Sequence, residues 1–234
     1  MAAGEGHRLR PLTERWAKPV LPIDGRPVLA TLLRELADAR PETVWLVSGH
    51  LAEQVEALAG DGSAFGLRIR TVRQPQALGS ADAVRRAVDA GAAAPLLAVA
   101  ADTVFTRGDL DRARAAWEER GAAGGLGVRP LPPEALGERT RVRVEGGRLA
   151  AFGEETRTPD GALVTGAPLW FLDASLAARL AAVPGPPYEL ASAFAAALAD
   201  GEHVAALSLG PTRDLTRPAD LAARNFPYLS GWGR

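Results

Sequence analysis

The chain has no cysteine, a single lysine and three histidines among 234 residues. Without cysteine there is no disulfide framework and no thiolate chemistry. His7 and His50 are lone histidines at places where the residue is more often structural, and no His/Cys metal cluster exists in the sequence. No run of about 18 apolar residues occurs, and no spanning helix is expected. A charged-then-apolar leader pattern is also missing from the start, which makes a cytoplasmic location the default expectation. Neither sign of charge dominates: 27 basic residues face 28 acidic ones. That balance argues against bulk binding to nucleic acid or an anionic membrane. Lysine is the scarcest charged residue. All basic positions but Lys18 are arginine. With abundant alanine and glycine this looks like a GC-rich coding bias, which makes the one retained lysine informative.

What is present suits a globular protein. The composition is 47% hydrophobic and 24% charged, enough to bury a sizeable core in one large domain or two small ones. Apolar residues recur at helical spacing over 26–39, and 43–48 reads as a buried strand. Further helices are expected at 51–60, 80–91 and 109–121, with strands at 67–72, 95–100 and 124–130. Strand and helix alternate with short links, which points to an α/β fold with a Rossmann-like, mostly parallel sheet flanked by helices. After about residue 130 the rhythm changes. A hairpin over 141–152 turning at Gly146 and Gly147, a long strand over 161–173, two helices and a strand over 203–210 suggest a more antiparallel half. No repeat of 20–50 residues is present, and 121–125 is the nearest approach to a linker. The reading is one domain, 1–234, with a nucleotide-binding half (1–130) and a sugar-phosphate half (131–234). The tryptophans at 16, 45, 117, 170 and 232 read as packing residues, Trp170 being the one with a conceivable second role.

The segment "AAGEGHRLRPLTERWAKPVLP" holds the densest chemistry. It is neither a dinucleotide fingerprint nor a Walker loop, since the third glycine and the Gly-Lys-Ser/Thr run are missing. Gly4 and Gly6 still allow close backbone approach to a ligand. Successive amides in such a turn form an anion nest, and Arg8 and Arg10 add positive charge. From spacing alone, an ordinary glycine-containing loop with solvated arginines is an equal alternative.

That segment resembles the signature of the sugar-1-phosphate nucleotidylyltransferases, Gly-x-Gly-x-Arg-x-x-Pro-Leu-Thr followed by Lys-Pro-x-Leu-Pro. Similar family motifs stand at 74–84 ("QPQALGSADAV"), 98–105 ("AVAADTVF"), 165–173 ("TGAPLWFLD") and 213–225 ("RDLTRPADLAARN"). The resemblance implies an enzyme in which a sugar 1-phosphate attacks the α-phosphorus of a nucleoside triphosphate and pyrophosphate leaves. It implies nucleotide-binding backbone at Ala3, Gly4 and Gly6, and Arg8 and Lys18 as the catalytic cations. It also implies Mg²⁺ as cofactor on Asp102 and Asp214, and a sugar-phosphate pocket around Glu155, Arg157 and Gly166. Gln74 and Gly79 would meet the base. An amide offers donor and acceptor side by side, which matches uracil or thymine, so UTP or dTTP is favoured. Nucleoside triphosphate and sugar 1-phosphate are the expected partners, without nucleic acid or membrane. Homo-oligomerisation stays open.

Three departures accompany the resemblance. The family begins with a short apolar strand, and Met1 falls where it should end. The expectation is an upstream extension of about five mostly apolar residues. The family's second lysine is missing, and "FGEETRTP" stands there with Arg157 as the substitute cation. "AAD" at 100–102 replaces the common Gly-Asp. A GTP- or CTP-dependent sugar-phosphate enzyme, or a non-catalytic nucleotide-sugar binding domain, therefore remains the alternative.

Overall fold

A computed structural model describes residues 1–133, 137 and 139–226; Trp232 lies outside the described residues. The chain opens with three short 3-10 turns, His7–Leu9, Leu12–Glu14 and Lys18–Val20. There follow β1 (Pro22–Ile23), β2 (Arg26–Pro27), α1 (Val28–Asp38), β3 (Val44–Ser48), α2 (Ala52–Ala59) and β4 (Ile69–Arg73). Next come α3 (Ser80–Asp89), β5 (Leu96–Val99), β6 (Thr103–Val104), α4 (Asp109–Arg120) and β7 (Gly124–Leu131). The remainder is β8 (Val142–Glu145), β9 (Arg148–Phe152), β10 (Leu163–Leu172), α5 (Ala174–Arg179), α6 (Leu190–Ala199), β11 (Val204–Ser208), β12 (Arg213–Asp214) and α7 (Pro218–Asn225). The expected elements form, because their apolar residues recur with the period of the structure they adopt. In α1, Val28, Leu29, Leu32, Leu33 and Leu36 repeat at i, i+1, i+4, i+5 and i+8, and all are buried.

Contacts gather the chain into two compact units. The first holds Met1–Ala77, Ala100–Phe105 and the chain from Thr212; the second holds Leu78–Val99 and Thr106–Pro211. In the first unit β3 and β4 pair in parallel, Val44 opposite Ile69 through Ser48 opposite Arg73. Ala2 makes a parallel bridge to Ser48 and donates to the Val47 carbonyl at 2.7 Å. The Met1 carbonyl accepts from Ala101 N–H at 2.8 Å. A hairpin joins β1 to β2 through Asp24 and Gly25, both with positive φ, the backbone that a two-residue turn with right-handed twist demands. Leu9, Leu21, Ile23, Val28, Val104 and Leu215 form a buried cluster here, and Leu221 packs against it.

In the second unit six strands run in the order β5-β10-β7-β11-β9-β8. Only β7 and β11 are parallel neighbours. The strand–helix–strand stretch β5–α4–β7 does produce two parallel strands, but β10 inserts between them and runs antiparallel to both. The sheet is thus mixed, with helices flanking it. The stretch 121–125 is no linker. Gly124 and Gly125 are buried inside β7, where an added Cβ would meet Leu176 and Phe194 or Leu207 and Trp117 at 2.2–3.1 Å. Trp117 stacks on Phe171 at 5.0 Å, and Trp170 packs edge-on to Phe194 at 4.8 Å. Both are core residues. Trp16 corrects the packing expectation. It is 56% exposed, while Gln54 fixes the backbone on either side of it by accepting from Ala17 N–H (2.8 Å) and donating to the Arg15 carbonyl (2.7 Å).

Candidate active site

Parallel strands present their carboxyl ends together, and ligands of open α/β sheets bind at that edge. In the first unit this edge carries Ala3 and Gly4 after the Ala2 bridge, His50 after β3, and Gln74 after β4. Gln74 donates its N–H to the Ser48 carbonyl at 2.7 Å and is 3% exposed. His50 N–H donates to the Ala3 carbonyl at 3.3 Å. The sequence motif therefore lies where fold physics places ligands.

The loop from Gly4 to Val20 is a built structure. Gly6 has φ +64°, and its carbonyl accepts from Leu9 N–H and from Thr13 Oγ1, both at 2.9 Å. A Cβ at Gly6 would lie 2.9 Å from Thr13 Cγ2, so glycine is required by backbone and space alike. At Gly4 a Cβ would meet nothing within 4 Å. The fold itself does not demand glycine there. His50 braces the loop from below: its Nε2 lies 2.6 Å from the Thr13 carbonyl. A carbonyl can only accept, so Nε2 carries the proton. His50, in the turn before α2, and Gln54, in its first turn, both hold the loop. Arg8 is exposed in the first turn, and Glu5 pairs with His7 and Arg10 at 3.2 and 3.5 Å.

The lone lysine meets the first predicted metal ligand. Lys18 Nζ lies 2.5 Å from Asp102 Oδ2, with side chains 14% and 30% exposed. Asp102 Oδ1 accepts from Thr103 Oγ1 at 3.2 Å. Burial alone would raise the Asp102 carboxyl, but the Lys18 charge and the hydrogen bonds outweigh it and hold it below the usual carboxylate range. Asp214 joins this pair through the backbone: β12 runs antiparallel to β6, with Asp214 opposite Thr103, the residue after Asp102. Among the described residues no three His, Cys, Asp or Glu side chains form a metal cage. Asp102, in the turn that leads into β6, and Asp214, on β12, supply the hard carboxylate oxygens that suit Mg²⁺, a cation that keeps places for phosphate and water.

The second unit holds the other predicted residues. Gly79 precedes α3 with φ +109°, and a Cβ there would lie 2.3 Å from the Tyr188 carbonyl. The glycine is required by this close passage. Tyr188 N–H donates to the Leu78 carbonyl (2.7 Å), Ala81 N–H to the Tyr188 carbonyl (2.8 Å), and Ser80 Oγ to Glu189 Oε2 (2.5 Å). Glu155 is shared by two guanidinium groups, Arg157 at 3.4 Å and Arg141 at 3.5 Å. Arg157 also bridges Leu163 at the start of β10. Three residues on, Gly166 donates to the Thr140 carbonyl at 2.8 Å. Glu155, Arg157 and Gly166 are thus parts of one substructure, and Arg141 is a further cation of it that the sequence reading did not single out. Thr13 and Gln54 were also missed as loop supports, and nothing local in the sequence signals their distant partners.

A family described as "Nucleotidyl transferase" matches residues 1–205. The chain is 39% identical over 84 residues to a glucose-1-phosphate thymidylyltransferase of Streptomyces griseus, covering 36% of this chain and 24% of that protein. It is 44% identical over 80 residues to a mannose-1-phosphate guanylyltransferase of Mycobacterium tuberculosis, covering 34% and 22%. These matches span about a quarter of the length of the relatives. The structure is similar to a UTP-bound UGPase from Acinetobacter baumannii, with a TM-score of 0.76 over 97% of this chain and 90% of that one. At 19% identity that likeness concerns the fold.

Proposed function

Because the chain belongs to the nucleotidyl transferase family, we propose that it joins a nucleoside triphosphate to a sugar 1-phosphate, giving a nucleotide sugar and pyrophosphate. One observation carries this reading: the only lysine and a partly exposed aspartate sit 2.5 Å apart, beside a glycine turn at the carboxyl edge of parallel strands. The reaction brings two polyanions together, so charge neutralisation and in-line placement dominate it. Backbone amides at Ala3, Gly4 and Gly6 hold the triphosphate. Arg8 neutralises the α-phosphate and the departing pyrophosphate. Lys18 stands between the α-phosphate and the acceptor phosphate, and its contact with Asp102 sets a phosphate-binding cation next to a metal-binding anion. Asp102 and Asp214 would hold Mg²⁺, which supplies charge neutralisation at the phosphate oxygens. Glu155, Arg157 and Gly166 receive the sugar phosphate, with Arg157 as its cation. Gln74 reads a uracil or thymine edge, and the backbone of Gly79 contacts the base.

A pyrophosphate-release screen of UTP, dTTP, GTP, CTP and ATP against a panel of sugar 1-phosphates, with Mg²⁺, tests this. Release with UTP or dTTP and at least one sugar phosphate is expected. Nucleotide binding with no release from any pair would leave a non-catalytic binding domain as the better reading.

A further inference from the structure

The hairpin that follows Lys18 is tied to the far end of the chain by one side chain. Asn225, the last residue of α7, donates through Nδ2 to the carbonyls of Pro22 and Leu221, both at 2.8 Å. Its Oδ1 accepts from Gly25 N–H at 2.8 Å. The partners fix the orientation of the amide, since a flipped group would face oxygen to carbonyls and nitrogen to an N–H. Asp24 N–H donates to the Arg224 carbonyl at 3.4 Å, and the Asp24 carboxylate pairs with Arg213. The other end of α7 is equally held. Asp220 accepts from Thr216 N–H and Arg217 N–H, each at 2.8 Å, a closed N-terminal cap.

The buried cluster beneath explains what this bracing acts on. Leu9 follows Arg8, Leu21 lies one turn past Lys18 and accepts Val28 N–H, Val104 is two residues past Asp102, and Leu215 follows Asp214. Leu221 of α7 packs on the same cluster. We infer that α7 is a strut between the lysine loop and the Asp214 strand, and that Asn225 is a positioning residue for Lys18. This inference rests on the proposed transfer reaction. It concerns residues past 205, where the family match ends.

Displacing a reacting group by about 1 Å costs on the order of 10²-fold in rate. The test compares the full chain with Asn225→Ala and Asn225→Asp, reading pyrophosphate release and amide hydrogen exchange. In Asn225→Ala, Gly25 N–H should exchange at least roughly tenfold faster. Its kcat should fall about tenfold or more while KM for the nucleotide stays within about twofold, since Lys18 is assigned to the transition state. Asn225→Asp keeps an acceptor for Gly25 and loses both donated bonds. Gly25 should therefore remain slow in it while kcat falls several-fold. Unchanged exchange at Gly25 in the alanine variant, or unchanged kcat in both variants, overturns the inference. A wild-type chain without turnover would instead sink the proposed reaction, and the exchange arm alone would then decide whether the strut exists.

Discussion

At the scale of the residue, Lys18 makes the most buried ion pair around the glycine loop, in a chain whose every other basic position is arginine. If Lys18 neutralises the reacting phosphates, Lys18→Ala should lower kcat by roughly 10²-fold, about 2.7 kcal/mol. Lys18→Arg should not restore it, because a planar fork cannot replace a compact ammonium beside Asp102. The same substitution has a pH signature. The Asp102 carboxyl is held low in the folded protein, so its share of stability is complete above the ordinary carboxylate range and is lost as pH falls through its lowered folded value. Without Lys18 the carboxyl loses the charge that does most to hold it low, so the folded value rises toward the unfolded one and this acid-sensitive share of stability shrinks, read as a lower melting temperature at neutral pH that falls less steeply on acidification. A variant with wild-type turnover and an unchanged pH dependence of melting would remove Lys18 from both roles. Lys18 was legible as the single lysine among arginines, whereas Asn225, His50 and Gln54 were not. Each reaches backbone 37 or more residues distant, and an isolated polar residue does not announce so remote a partner.

At the scale of the element, periodicity revealed the helices and strands but not their neighbours. The run at 95–100 and the run at 161–173 read correctly as strands, yet nothing local says that β10 inserts beside β5. Long-range pairing is decided by packing of whole faces. Asp24-Gly25 is a turn dipeptide, but the strands that flank it are two residues each and too short to show a periodic pattern. The glycines of β7 were the opposite case: they suggested slack and instead mark the tightest packing in the sheet. A Cβ at Gly124 would lie 2.2 Å from Leu176 Cδ1 and 2.8 Å from Phe194 Cε1. Gly124→Ala should therefore destabilise by about 1–3 kcal/mol through overpacking, lowering the melting temperature by about 2–4 °C per kcal/mol in a chain of this size. A melting temperature equal to wild type would mean that Leu176 and Phe194 yield freely, and that β7 is glycine-rich for some other reason.

At the scale of the whole molecule, the residues proposed to carry the chemistry are Ala3, Gly4, Gly6, Arg8, Lys18, Gln74, Asp102 and Asp214 in the first unit, and Gly79, Glu155, Arg157 and Gly166 in the second. On the proposed reaction, choice of base falls to Gln74, which is buried, where an amide is constrained by protein rather than by solvent. An amide fixed with donor toward O4 and acceptor toward N3–H accepts uracil and thymine. Cytosine inverts both groups and is refused, and guanine offers a different edge. UTP or dTTP should thus exceed CTP and GTP by at least roughly tenfold in kcat/KM, about 1.4 kcal/mol, a modest demand on a site that reads hydrogen bonds. Ligand binding to the folded chain also stabilises it, by about 2.7 kcal/mol at a hundred times the dissociation constant, so the same order should appear as thermal shifts with Mg²⁺ present. Gln74→Ala should shrink the preference more than it lowers the best rate. A purely structural amide gives the reverse pattern, a lower melting temperature with the preference intact. A wild-type preference for GTP would take base reading away from Gln74 while leaving Arg8, Lys18 and Asp102 in place, because the phosphates they serve are common to every nucleotide.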